Sequence, residues 1–196
     1  SGEYAYIADG GAGLQVVSIS NPASPIGVGV YDTPGGANGV AVSGSYAYVA
    51  DSFEGLRVVN ISNPASPYEV GFYDSPQDAE RVAVSGFYLY VVDCAIGLRV
   101  VDITNPGNPV EVSLYDTAGN VMGVAVSGPY AYVADNYSGM HVVSILDPTN
   151  PTEVGFIDTP GYAYDVTISG TYAYVAAYNA GLQVIDVSNP ASPVRV

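Results

Sequence analysis

The chain has 196 residues, with 19 acidic and 4 basic side chains and a net charge of −15. All four cations are arginines, so nucleic acid and anionic membrane surfaces, which are held by clustered Lys and Arg, are excluded as partners. No apolar run reaches the ~20 residues of a membrane-spanning helix, and one cysteine, Cys94, leaves neither an internal disulfide nor a multi-cysteine zinc site.

From Tyr4 onward the chain repeats itself. Tyr4-Ala5-Tyr6 returns as Tyr46-Ala47-Tyr48, Tyr88-Leu89-Tyr90, Tyr130-Ala131-Tyr132 and Tyr172-Ala173-Tyr174, always 42 residues on. Residues 4–45 and 46–87 are identical at 27 of 42 positions. A fixed period near 40 with several short strands per unit predicts an all-β, β-propeller fold of five blades. The units run 4–45, 46–87, 88–129, 130–171 and, in part, 172–196, without a linker, as one domain over 1–196.

The unit that starts at Tyr46 shows the predicted order. Strand B is Tyr46–Asp51, strand C Leu56–Ser62 and strand D Tyr68–Tyr73, followed by strand A of the next unit, Arg81–Ser85. β-branched and aromatic residues dominate all four, as strands prefer. Ser-Gly pairs close the A–B hairpins, and a stiff Asn-Pro-x-x-Pro turn separates C from D. In strand C, Leu56 and Val58 point one way while Val59 and Ile61 point the other, so both faces are apolar. Sheets packed radially between two neighbours bury both faces in this way. Nineteen strands are expected, the first blade lacking its inner strand A. The edge at Tyr4–Asp9 is then a template for self-assembly with a neighbouring chain, or for further sequence.

Strand C reads LQVVSI, LRVVNI, LRVVDI, MHVVSI and LQVIDV from Leu14, Leu56, Leu98, Met140 and Leu182. With the 42-residue spacing and the Ser-Asn-Pro turn, this resembles the LVIVD-repeat proteins. The resemblance implies a β-propeller in an exported or surface-associated protein of a bacterium or archaeon. It brings no catalytic set, because the motif consists of core residues.

Differences among the units are the best guide to function. The A–B and C–D turns barely vary, whereas the B–C tips and D–A connections do, and both emerge at one end of an antiparallel blade. That end would carry Phe53, Met122, Tyr137, Tyr162, Tyr164 and Tyr178 beside Glu54, Asp78, Glu80, Arg81 and Asp165. Aromatics rimmed by charge suit contact with a protein or a glycan. Asp9, Asp51, Asp93 and Asp135 end strand B and form a weak calcium candidate. D-x-x-x-G lacks the carboxylate density of a calcium loop, so turn capping is the expected role and no cofactor is assigned.

His141 has Gln15, Arg57, Arg99 and Gln183 as counterparts and reads as a strand-surface residue. Asn136-Tyr137-Ser138 is a glycosylation candidate on a tip, while Asn60-Ile61-Ser62 falls within strand C. The reading is a non-enzymatic extracytoplasmic structural or binding module that presents its variable loops to a protein or glycan, in an extracellular assembly or alone. The alternative is a propeller-class enzyme or calcium-dependent lectin using an acidic channel mouth.

Overall fold

The computed structural model describes residues 2–75, 77–94, 96–117 and 119–196. Ala95, part of the third B–C tip, lies outside the described residues. Among these, nineteen strands form five antiparallel sheets, and strands adjacent in a sheet are adjacent in sequence. The first sheet has three strands: β1 (Tyr4–Ala8), β2 (Leu14–Ser18) and β3 (Ile26–Tyr31). The second has β4 (Gly39–Ser43), β5 (Tyr46–Ala50), β6 (Leu56–Asn60) and β7 (Tyr68–Tyr73). The third has β8 (Ala79–Ser85), β9 (Tyr88–Asp93), β10 (Gly97–Asp102) and β11 (Val110–Asp116). The fourth has β12 (Gly123–Ser127), β13 (Tyr130–Ala134), β14 (Met140–Ser144) and β15 (Thr152–Ile157). The fifth has β16 (Asp165–Ser169), β17 (Tyr172–Ala176), β18 (Leu182–Asp186) and β19 (Val194–Arg195).

Local chemistry explains the boundaries. Gly44, Gly86, Gly128 and Gly170 close the A–B hairpins at φ of 56–59°, the conformation expected of the Ser-Gly pairs. In the Asn-Pro turns, Asn63 Oδ1 accepts the Ala65 amide and Asn63 O accepts that of Ser66, which caps the loop before β7. The C–D pairing carries a bulge at the same place in four units, so that Val28, Val70, Val112 and Val154 are the extra residues. β1 is an edge strand and, among the described residues, pairs with β2 alone.

Apolar packing then joins consecutive sheets. Tyr48, Ala50, Leu56 and Val58 of the second sheet pack with Leu89, Val91, Val101 and Ile103 of the third. Equivalent residues fill the other three junctions. The outer strand of one unit also leans on the proline turn of the next. A Cβ at Gly29, Gly71 or Gly155 would lie 2.0–2.4 Å from the carbonyl oxygen of Pro64, Pro106 or Pro190. Ser113 takes that place in the third unit and donates its hydroxyl to Pro148 O at 2.6 Å.

The loops fall where the strand order puts them. Gly10 bridges to Ala37, Ser52 to Ala79 and Asn136 to Ala163, each pair joined by reciprocal backbone hydrogen bonds. B–C tips and D–A connections therefore lie side by side at one end of the sheets.

Candidate functional site

Two arrangements of side chains stand out, and they divide along the chain. The first is buried and confined to the three middle units. Asp51, Asp93 and Asp135, at the end of strand B, are fully buried. Each faces a basic side chain on strand C. Arg99 Nε lies 2.7 Å from Asp93 Oδ2, with its Nη1 2.7 Å from Glu111 Oε2 on β11. Arg57 is set against Asp51 at 3.6 Å, Glu54 at 3.1 Å and Glu69 at 3.9 Å. His141 lies 3.4 Å from Asp135 and 2.6 Å from Glu153. A tyrosine of the preceding unit completes each set: Tyr31 donates to Glu69, Tyr73 to Glu111 and Tyr115 to Glu153. Burial, reinforced by the hydrogen bond to a carboxylate, pushes the Tyr31 and Tyr73 hydroxyls up to about 12.

These clusters correct the reading of His141, which is buried rather than on the strand surface. They also count against Asp51, Asp93 and Asp135 as calcium ligands, because Arg57, Arg99 and His141 oppose a divalent cation. Asp51 Oδ2 accepts the amide of Gly35, on the neighbouring D–A connection, at 2.9 Å, while the turn after Asp51 is closed by backbone hydrogen bonds. Asp9 lies exposed. The terminal units lack the set. Gln15 and Gly27 replace the basic residue and the Glu in the first, and Gln183, Arg195 and Ala177 stand at the three positions in the fifth.

Burial alone would lower the His141 pKa, but the Asp135 and Glu153 carboxylates outweigh it and raise it above the ordinary histidine value. Tyr115, through Glu153, and Phe156, 5.1 Å from the imidazole, complete its surroundings. A raised folded pKa gives stability that is fully present below about pH 6.5 and is lost as pH rises through the folded value. Urea unfolding midpoints should fall across that window, and His141→Arg should flatten the slope, since Arg stays charged. The same slope in both proteins would contradict this assignment.

The second arrangement is exposed and belongs to the fourth and fifth units. Tyr137 stands on the fourth B–C tip, Tyr162 and Tyr164 on the following D–A connection, and Tyr178 opens a short 3-10 turn, Tyr178–Ala180. Tyr137 meets Tyr162 edge-on with ring centroids 4.3 Å apart, and Tyr162 stacks near Tyr178 at 5.8 Å. Tyr164 lies 5.7 Å from Tyr178. Four rings so connected form a continuous aromatic patch. Tyr137 and Tyr178 are 72% and 66% exposed, so the patch faces water. A hydrogen bond with Tyr137 raises the Tyr162 pKa above the ordinary tyrosine value. Asp165, beside the patch, is exposed and accepts the Val166 amide.

The other expected face residues are distributed differently. Phe53 is exposed on the second tip, while Glu54 is engaged with Arg57. Asp78, Glu80 and Arg81 form their own half-buried group, with Arg81 3.7 Å from Glu80 and donating to Asn38 O. Burial and the charge of Asp78 raise the Glu80 pKa. Met122 is half-buried. Cys94 is free and half-buried, its thiol pushed up to about 11 chiefly by burial. Asn136 departs from the expectation of an accessible glycosylation site: the residue is only 9% exposed, and Tyr137 occupies the tip instead. Asn60 Oδ1 accepts from the Ser62 amide and hydroxyl.

An open hollow of about 490 Å³ adjoins the patch, lined by Tyr164, Ala176, Ala177, Tyr178, Gly181 and Leu182. Tyr164, Ala177, Tyr178 and Gly181 belong to the loops, and Ala176 and Leu182 to the ends of β17 and β18. A Cβ on Gly13, Gly55, Gly97 or Gly139 would collide with the outer strand of its own sheet, whereas nothing lies within 4 Å at Gly181.

Comparison with known proteins agrees with this architecture. The LVIVD repeat matches five times, at residues 1–33, 34–75, 76–117, 118–159 and 160–196. No curated protein matches the chain. Among solved structures, the computationally designed Ika8 protein is similar with a TM-score of 0.71 and 11% identity, over 95% of this chain and 56% of that one. The designed Ika4 protein has a TM-score of 0.64 at 12% identity, over 80% of this chain and 94% of that one. A functionally unknown protein from Desulfotomaculum acetoxidans reaches 0.82 at 14% identity, over 99% and 68%. This chain therefore spans little more than half the length of Ika8. At such identities the likeness concerns the fold.

Proposed function

Because the chain belongs to the LVIVD-repeat family, whose repeat specifies a core and no reaction, we propose that it is a non-enzymatic binding module. Its five sheets act as β-propeller blades, and it works outside the cytoplasm of a bacterium or archaeon. The loop end is presented to a neutral glycan. The observation that carries this reading is the contiguous patch of Tyr137, Tyr162, Tyr164 and Tyr178. Aromatic rings stack on the C–H faces of sugars, and tyrosine adds a hydroxyl at the rim for the sugar's polar edge. The net charge of −15 repels acidic polysaccharides and leaves uncharged sugars as the fitting class.

A glycan array probed with and without a calcium chelator tests the reading. The protein should retain uncharged glycans equally in both conditions. Replacing Tyr137, Tyr162 and Tyr178 together by Ala should weaken retention on the order of a hundredfold, at ~1 kcal/mol per ring. Its melting temperature should move by only a few degrees, because exposed positions contribute little to stability. Retention that needs calcium would favour a lectin. Retention unchanged in the triple variant, or none on any glycan, would overturn the reading.

A further inference from the structure

A backbone bridge ties the B–C tip of the fourth unit to the D–A connection that follows it. The Asn136 amide donates to Ala163 O at 3.1 Å, and the Ala163 amide donates to Asn136 O at 2.9 Å. In an antiparallel bridge the next residue of one segment stands opposite the previous residue of the other, so Tyr137 is set against Tyr162. The same register sets Gly11 against Gly36 in the first unit and Phe53 against Asp78 in the second. In the fourth unit it brings two phenols together. Their ring centroids lie 4.3 Å apart with the planes at 61°, the closest of the three ring contacts in the patch. A hydrogen bond links the two side chains. Water reaches both rings, with Tyr137 72% and Tyr162 39% exposed.

We propose that Tyr137 and Tyr162 form an oxidative cross-linking site, where hydrogen peroxide and a haem peroxidase join the two phenols as dityrosine. Each phenol gives one electron and its hydroxyl proton to the peroxidase. The phenoxyl radical left behind shares its unpaired electron with the ring carbon Cε beside the oxygen. The two radicals then pair to form one Cε–Cε bond. The hydrogen on each bonded carbon moves to its own oxygen, which restores both aromatic rings and both hydroxyls. Two hydrogen atoms are lost in all, and one peroxide takes them up to give two waters. The observed centroid spacing is already close to that of two rings joined by a single bond. Holding the partners in this arrangement makes the coupling unimolecular, so it outruns encounters between chains in dilute solution. Other side chains compete weakly. The chain has no tryptophan to take the oxidation. Burial pushes the Cys94 thiol up to about 11, so little thiolate is present at neutral pH. Tyr31, Tyr73 and Tyr115 each have a carboxylate, not a second phenol, as hydrogen-bond partner. No sugar takes part in the coupling, which is independent of whether the patch binds a glycan.

Oxidation of the dilute protein with a haem peroxidase and hydrogen peroxide, followed by digestion and mass spectrometry, is the test. The product should run as a single chain, emit the blue fluorescence of dityrosine and weigh two hydrogen atoms less. Its main cross-linked peptide should join Tyr137 to Tyr162. Tyr137→Phe and Tyr162→Phe keep the rings and should keep the circular dichroism, yet each should remove most of the fluorescence. Tyr178→Phe should leave it unchanged. In urea, where the bridge is lost, the linkage should spread over other tyrosines. Peptide mapping of the unaltered protein decides the matter even where a variant fails to fold. No dityrosine in the unaltered protein, a main linkage at another pair or between chains, the same preference in urea, or full fluorescence in Tyr137→Phe or Tyr162→Phe would each overturn the proposal.

Discussion

Val58→Asp is expected to abolish folding. Val58 is fully buried between the second and third sheets, against residues of both. A carboxylate placed there has no cation within its cluster, and an unpaired buried charge costs several kcal/mol even after the structure relaxes. The lost valine contacts add to that cost, and a domain's whole stability is only about 5–15 kcal/mol. Circular dichroism should show no cooperative transition. Phe53→Ser, on an exposed tip, should shift stability by only about 0.5 kcal/mol. Equal melting of the two variants would mean that core and tip have been exchanged.

Arg99→Leu is the second large effect. Its guanidinium is almost wholly buried between Asp93 and Glu111, and removing it strands the Asp93 carboxylate. Breaking a buried pair from one side costs about 3–5 kcal/mol. For a chain of this size that corresponds to a fall in melting temperature of about 6–20 °C. Adding Asp93→Asn should cost less than the sum of the two single changes, because the stranded charge is gone. A loss below about 1 kcal/mol in Arg99→Leu would place the pair in the class of surface salt bridges.

Much of the fold was legible because one arrangement is repeated with little change. The Tyr-x-Tyr steps located strand B, and β7 spans the residues read as strand D. Boundaries shifted where tertiary hydrogen bonds decide them. β8 begins at Ala79 instead of Arg81, and its start carries both a register shift and the bridge from Ser52. β6 stops at Asn60 because the Asn60 side chain turns back to cap Ser62. The C–D bulge has no sequence signature of its own, since Val70 reads like any strand valine.

The exposed site was more legible than the buried one. Comparing units singled out Tyr137, Tyr162, Tyr164 and Tyr178 as departures from the repeat, although only the loop geometry shows that they touch. The charged clusters do not show at position 141 and its counterparts alone, where Gln, Arg and His all occur. The signal lies in joint substitution: Asp, a basic residue, Glu and the preceding Tyr occur together in three units, all four are replaced in the fifth, and the first keeps Asp9 but has Gln15 and Gly27. Those residues sit 6 and 18 positions after the Asp, and 20 before it. Such spacings become contacts only after the B–C turn, the C–D bulge and the stacking of sheets are in place.

We propose that recognition belongs to the loop end of the fourth and fifth units, and hydrogen–deuterium exchange with and without a glycan retained on the array distinguishes that end from the opposite one. New protection should appear in residues 136–139, 161–165 and 177–181. Protection confined to the Asn-Pro turns at the opposite end, or undiminished binding with no change in these three segments, would contradict it.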